Sequence, residues 1–340
     1  MPRRGVRLGK PDEPSDGHFL SFHNRMSDRM FLKQDGCQSF VWVASWWLAT
    51  GLFCCATNSV AADQVIEPTS SVEKVAGGFA FTEGPASTND GVLYFTDIPA
   101  TTIHSMAPDG TQSALTTTSN HSNGLWFEGD GKLLACEMDG AVVRHDLVSG
   151  TRTVLIDQYD GKRFNAPNDL VVDQFGGIYF TDPQFRAPDP LPQPVRAIYY
   201  LSADGHVQRL TGDIQAPNGI GLSPDGKTLY VIPSMQAEML AYDVVGPGVV
   251  SNMRTFCVLK QPAGKSNTGG DGMTLDVEGN LYITTHLGIQ IFNPDGDAVG
   301  LVSLPEQPAN VTFGGPDFKT MFMTARTSVY RVSMPIAGLR

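Results

Sequence analysis

Cysteine is scarce in this chain. There are five in 340 residues, with no Cys-x-x-Cys pair and no Cys/His spacing of the zinc-binding kind, which argues against a thiolate metal centre. Basic residues are short as well. Lys and Arg number 24 against 35 Asp and Glu, for a net charge of −11. A surface of that sign disfavours nucleic acid and anionic membrane as partners. Helical periodicity is missing throughout. No linker separates the later segments, so the chain reads as one closed domain over residues 63–340, although its length would accommodate two.

The first 62 residues differ in composition. A basic, polar leader precedes an uncharged run, Phe40 to Thr57, which contains Trp42, Trp46, Trp47, Leu48, Leu52 and Phe53, and small residues follow at Ala61-Ala62. That order is the pattern of a signal peptide, with a signal anchor as the competing reading. The expected location is therefore exported, periplasmic or secreted, with no membrane attachment after cleavage. Residues 63–340 carry 17 Lys and Arg against 30 Asp and Glu, a net −13, and retain two cysteines, Cys136 and Cys257. These fall in different repeats and are expected as two separate buried thiols.

Glycine (36) and proline (23) are plentiful and mostly sit at turns, as an all-β chain requires. One pattern occurs six times: a polar residue, a short apolar run, a turn, and a second apolar run. The polar residue precedes the turn position by eight residues in the pairs Glu83/Gly91, Asn123/Gly131, Asn168/Gly176, Asn218/Gly226, Asp271/Gly279 and Asn310/Phe318. Two apolar runs about a tight turn make a β-hairpin, and a repeat of 39 to 53 residues makes an array of such units. The spacing predicts a six-bladed β-propeller with four-stranded antiparallel blades. The last blade runs out of chain after Val332, so residues 72–82 are expected to supply its outer strand and close the ring. Residues 183–196, with five prolines, are expected to loop over one mouth of the channel.

If each leading polar residue opens an innermost strand, all six project into the central channel at one level. Two carboxylates and four amides form a ring of hard oxygen donors, which is Ca²⁺ chemistry. Mg²⁺, Mn²⁺ or Zn²⁺ stay open as alternatives. The pattern does not decide which donors touch the ion, and Asn123 and Asn310 could instead hold water or substrate.

Several stretches together resemble the senescence-marker-protein/gluconolactonase (regucalcin-like lactonase) family across roughly residues 72–335. They are Phe81-Thr82-Glu83-Gly84-Pro85, Ser122-Asn123-Gly124-Leu125, Arg163 to Asp169, Tyr179 to Pro183, Ala216-Pro217-Asn218-Gly219 and Gly270-Asp271-Gly272-Met273. The resemblance implies a six-bladed propeller, a divalent cation bound by Glu83, Asn168, Asn218 and Asp271, and hydrolysis of sugar or other lactones with Asp271 as acid/base. Physical chemistry is consistent with this, since a cation in such a cage remains a Lewis acid and a nearby ionised carboxylate can take a proton from water. Plain charge ligation is the other role open to Asp271. Organophosphate or ester hydrolysis at the same ion, or a non-catalytic ligand-binding propeller, are the alternative functions.

Further candidates flank the ring. Asp97, Glu137 and Asp182 each end a second strand, fourteen residues after a ring residue, and are read either as pocket acids or as solvated strand ends. His286 ends the hairpin that Asp271 opens, and His121 precedes Asn123 by two; each is a candidate base or sugar ligand, or an ordinary surface histidine. Arg163 could bind a substrate carboxylate. Trp126 reads as core. The expected substrate-binding set is thus Asn123, Asp182, His286, Arg163 and His121.

Overall fold

A computed structural model describes residues 65–212 and 214–340. The predicted leader and signal segment, residues 1–62, lies outside the described residues. Six antiparallel four-stranded sheets follow one another around a ring. Their innermost strands are Thr82–Ser87, Ser122–Gly129, Leu170–Val172, Pro217–Leu222, Met273–Leu275 and Asn310–Gly314. No helix occurs among the described residues. The run expected to close the ring divides in two. Glu73–Gly77 pairs antiparallel with Ser328–Ser333 as the outer strand of blade six, and Thr82 already belongs to blade one. An ion pair between Arg331 and Glu73, 2.9 Å long, lies along that closing edge.

The alternation of the strands explains where the core sits. A blade strand presents alternate side chains to its two neighbours, and both faces of each blade are covered, so the apolar residues gather between blades. Blades six and one meet through Leu93 and Phe95 against Phe322 and Val329. Blades two and three meet through Leu134 and Val142 against Phe180 and Tyr199. Blades five and six meet through Ile289 and Ile291 against Met321 and Met323. Cys136 and Cys257 are buried free thiols, each inside a different interface of this kind.

Second-strand threonines tie the blades together near the axis. Thr96 donates to the Asn123 carbonyl (3.2 Å), Thr181 to the Asn218 carbonyl (2.9 Å) and Thr284 to the Ala309 carbonyl (2.8 Å). In each case the hydroxyl of one blade fixes the backbone at or beside the ring residue of the next. The axial packing leaves no room for side chains between these backbones. A Cβ at Gly84, whose φ is +43°, would stand 1.8 Å from the Asn123 carbonyl oxygen, so only glycine can follow Glu83 there.

Candidate active site

The ring residues reach the axis because the strand pairing is broken beside them. In blades one, two and four the register slips between Glu83 and Ala86, between Ser122 and Leu125, and between Pro217 and Ile220. In blades three and five the paired strand begins only at Leu170 and Met273, just beyond Asn168 and Asp271. Such irregularities re-aim a side chain out of the pleat. Blade six is the exception, with Asn310 in regular register opposite Thr324. Backbone hydrogen bonds join successive blades at this level: Gly124 N to Asn168 O (2.8 Å), Gly219 N to Asp271 O (2.9 Å) and Gly272 N to Ala309 O (2.8 Å).

Glu83, Asn123, Asn218, Asp271 and His286 line one cavity of about 400 Å³, together with Phe81, Phe185, Arg186 and Gln307. Phe185 and Arg186 come from the proline-rich insertion, which does cover this mouth. Glu83, Asn123, Asn168 and Asn218 are buried, and Asp271 is nearly so. The Asn218 amide nitrogen donates to Asp271 Oδ1 at 2.6 Å, which leaves the Asn218 carbonyl oxygen available. Among the described residues the side chains of Asn123 and Asn168 have no hydrogen-bond partner. Neither amide is sealed from solvent, and Asn123, which lines the cavity beside the two carboxylates, is free to meet water or a ligand.

The six donors are not at one level, contrary to expectation. Asn310 does not line this cavity; it stands between two carboxylates, its amide nitrogen meeting Asp169 Oδ2 at 3.3 Å and its side chain also hydrogen-bonding Glu83. Asn310 and Asp169 line a second, larger cavity of about 980 Å³, which also contains Trp126 and is bounded by the hairpin turns around Phe175 and Asp225. Trp126 therefore faces this cavity on one side and packs against core residues on the other. The cavity with the converging oxygen donors is the smaller of the two, and chemistry rather than size marks it as the site.

Sequence reasoning missed Asp169. A signal was present: Gly follows the ring residue at Gly84, Gly124, Gly219 and Gly272, whereas Asp follows Asn168. Burial pushes Asp169 up to about 7. Glu83 is raised well above the ordinary carboxylate range by burial first, and then by the charges of Asp271 and Asp169. Burial also lifts Asp271 to about 6, against the Asn218 hydrogen bond and the charge of Arg326. Three carboxylates held together in a dry ring resist ionisation unless a cation joins them. No trio of His, Cys, Asp or Glu among the described residues could hold a metal unaided. The site instead offers carboxylate and amide oxygens without nitrogen or sulfur, and that set fits a hard divalent cation.

A pH dependence follows for metal-free protein. Each of these carboxyls binds its proton more tightly folded than unfolded, so between the unfolded and folded values the native state holds more protons and stability falls as pH rises. The window runs from about 4 to about 7 for Asp169 and from about 4 to about 6 for Asp271. Glu306 works oppositely. Despite some desolvation, hydrogen bonds from Ser328, Thr327 and Tyr330 hold it at about 2, so its contribution is lost only below the ordinary glutamate value. Chelator-treated protein should therefore melt highest near pH 4–5, roughly where the two windows meet. A divalent cation should raise the melting temperature much more at about pH 8 than at about pH 5. Equal cation effects at both pH values would contradict this assignment.

The remaining expected residues lie elsewhere. Asp182 is fully buried and accepts the backbone amides of Asn165 (2.9 Å) and Ala166 (2.8 Å). Asp97 does the same for Ala80 and Phe81, at 2.9 and 3.0 Å. These acids are neither pocket groups nor solvated strand ends; they clamp the loop that feeds each inner strand. Glu137 takes a bidentate contact from Arg152 and a hydrogen bond from Asn120. Arg163 caps the carbonyls of Met138, Phe164 and Asn165. His121 Nδ1 contacts Asp139 at 3.0 Å. None of Asp182, Arg163 and His121 lines the site cavity. Asp182→Ala strands two buried N–H groups and should cost about 2–4 kcal/mol, read by urea unfolding; a loss below about 0.5 kcal/mol, the size of an ordinary surface change, would refute the clamp.

Comparison with known proteins agrees with the fold. Residues 81–327 match the family described as SMP-30/Gluconolactonase/LRE-like region. A gluconolactonase of Zymomonas mobilis is 31% identical over 301 residues, covering 81% of this chain and 85% of that protein. Regucalcin of Bos taurus is 32% identical over 170 residues, 48% of this chain and 55% of its own length. Among solved structures, a gluconolactonase from Xanthomonas campestris superposes with a TM-score of 0.72 at 28% identity, covering 81% of this chain and 95% of that one. A calcium-binding regucalcin from Agrobacterium tumefaciens shares the fold with a TM-score of 0.68 at 21% identity, over 81% and 97% of the two chains. With most of its length matched, and its six blades and axial donors in place, the chain belongs to the SMP-30/gluconolactonase/LRE-like family.

Proposed function

We propose that this protein is a divalent-cation-dependent lactonase of the gluconolactonase type. One observation carries the reading: the carboxylates of Glu83 and Asp271 and the amides of Asn123 and Asn218 meet in a mouth cavity sized for a small molecule, with Asn168 buried close by in the next blade. Relatives named as gluconolactonases supply the substrate class. Glu83, Asn168, Asn218 and Asp271 would hold the cation, with Ca²⁺ the simplest fit to oxygen donors. When bound, the ion supplies a Lewis acid for the lactone carbonyl.

The chain's own residues do the rest. Asn218 fixes one oxygen of Asp271, leaving the other to take a proton from the attacking water. Water adds to the acyl carbon, the ring C–O bond breaks, and the departing oxygen leaves with a proton as a hydroxy acid forms. Phe81 and Phe185 wall the cavity and limit water around the reacting ester. Asn123 and His286 are placed to hydrogen-bond substrate hydroxyls. The chain would act after export, as its first 62 residues suggest.

A pH-indicator assay over a panel of lactones, with and without chelator, tests the reading. Turnover of at least one lactone, lost on chelation and restored by a divalent cation, is the expected result. Turnover of simple esters or phosphotriesters without lactones would overturn the substrate class. Cation binding with no turnover of any kind would favour a ligand-binding propeller.

A further inference from the structure

The mouth of the site carries unmatched positive charge in a chain that is strongly acidic overall. Arg186 lines the cavity. His286 lines it as well, and its basicity is lowered by burial and by the nearby charges of Lys265 and Arg326, which places both cations beside the opening. Arg326 is the best held of the three. Its guanidinium lies 5.4 Å over the Phe81 ring and donates to Gln307 Oε1 at 2.5 Å, and Phe81 and Gln307 are both cavity walls. Its backbone carbonyl accepts Thr82 N at 2.8 Å, which fixes it where blade six meets blade one.

Four other arginines are matched to acids, Arg144 to Glu128, Arg152 to Glu137, Arg254 to Asp243 and Arg331 to Glu73, while Arg163 is taken up by carbonyls and Arg209 and Arg340 by aromatic rings away from the cavity. Among the described residues Arg186, Lys265 and Arg326 make no such pair. Asp271 feels the charge of Arg326, but a divalent cation in the ring would balance Asp271 and Glu83. The surplus at the rim then has no partner within the protein.

We propose that the preferred substrate is a lactone bearing a negatively charged group, carboxylate or phosphate, with Arg326 as the residue that selects it. This rests on the lactonase reading. Arg supplies a planar fork suited to either anion, and the rim charges would steer the anion to the opening. A neutral lactone would gain neither effect.

The test uses the cation-loaded enzyme and three substrates: glucono-1,5-lactone as the neutral reference, an aldaric acid monolactone with a free carboxylate, and 6-phosphogluconolactone. At least one anionic lactone should exceed the neutral one in kcat/KM by about tenfold or more, the effect of a charge-assisted contact. That advantage should shrink as ionic strength rises from about 0.02 to about 0.3 M. Which anionic arm wins identifies carboxylate or phosphate. Arg326→Gln should reduce the anionic-to-neutral ratio about tenfold, with Arg326→Lys restoring part of it. Hydrolysis of the neutral lactone at least as fast as both anionic ones, without salt dependence, overturns this inference and leaves the lactonase reading standing. A ratio unmoved by Arg326→Gln removes Arg326 as the selector. Failure to hydrolyse any of the three, with other lactones also inert, overturns the lactonase reading itself.

Discussion

Asp271→Asn is expected to lower kcat/KM toward a lactone by about 10³-fold or more while the propeller stays folded, since general-base groups of this kind contribute about 10²–10⁴-fold. Asparagine keeps the size of the side chain and an oxygen toward the cavity but cannot accept the proton. It also relieves a buried carboxyl that sits beside Glu83 and Asp169, so the fold should not suffer. The informative measurement is turnover at saturating cation, with the cation titrated separately on each protein. If the variant binds cation more weakly yet reaches within tenfold of normal turnover once loaded, Asp271 is a ligand only. If it stays inactive when fully loaded, proton transfer is its role. Asp271 reaches about 6 in metal-free protein; a bound divalent cation would draw it lower, so the loaded enzyme's acid limb belongs below that value. The acid limb of the loaded enzyme's pH–rate profile should therefore vanish with the variant's residual activity.

How far the site could be read in advance depended on what each residue's role rests on. Glu83, Asn123, Asn218 and Asp271 were legible as neighbours because repetition reports position: the same offset from the same turn brings four residues to one cavity, while Asn168 shares the offset and is buried without lining it. Asn310 obeys the same offset but stands between Glu83 and Asp169 and does not line the cavity. Its strand keeps regular pairing, and no residue in its repeat announces whether a strand will bulge. The clamping acids show the same boundary. Asp97 and Asp182 were found by spacing, but whether a strand-end carboxylate meets solvent, substrate or backbone amides is decided by the preceding loop, and loops carry no period. Arg163 and His121 stand two to five positions before ring residues in sequence and still face away, because the connection that precedes an inner strand has its own hydrogen bonds. Arg326 lay beyond reach for the opposite reason. It comes from the last blade, distant in sequence from Phe81, and only ring closure brings the two together.

Glu83→Gln separates the two roles that a buried carboxylate can have here. Glu83 is buried, and the like charges of Asp271 and Asp169 face it. In metal-free protein ionising this side chain is a net cost, because the attraction that would balance it is missing. Glutamine keeps an acceptor for the Gly84 amide, now 3.1 Å from Glu83 Oε2, and removes the charge. The chelated variant should therefore melt higher than the chelated parent by several degrees, at roughly 2–4 °C per kcal/mol for a domain somewhat smaller than this one. Cation affinity should move the other way and fall by a factor of about 100 or more, which is about 3 kcal/mol. The two shifts have opposite signs and a common cause. A purely structural Glu83 would give a variant that melts lower and binds cation unchanged, so thermal scans with and without cation, beside a calorimetric titration, decide between them. If the chelated variant instead melts lower and also binds weakly, the glutamate is supporting the ring through shape, and the repulsion assigned to the axial carboxyls is overstated. The expected pair of results ties the instability of the empty ring to the affinity of the filled one. The same repulsion that makes Glu83 costly alone is what a divalent cation would relieve on binding.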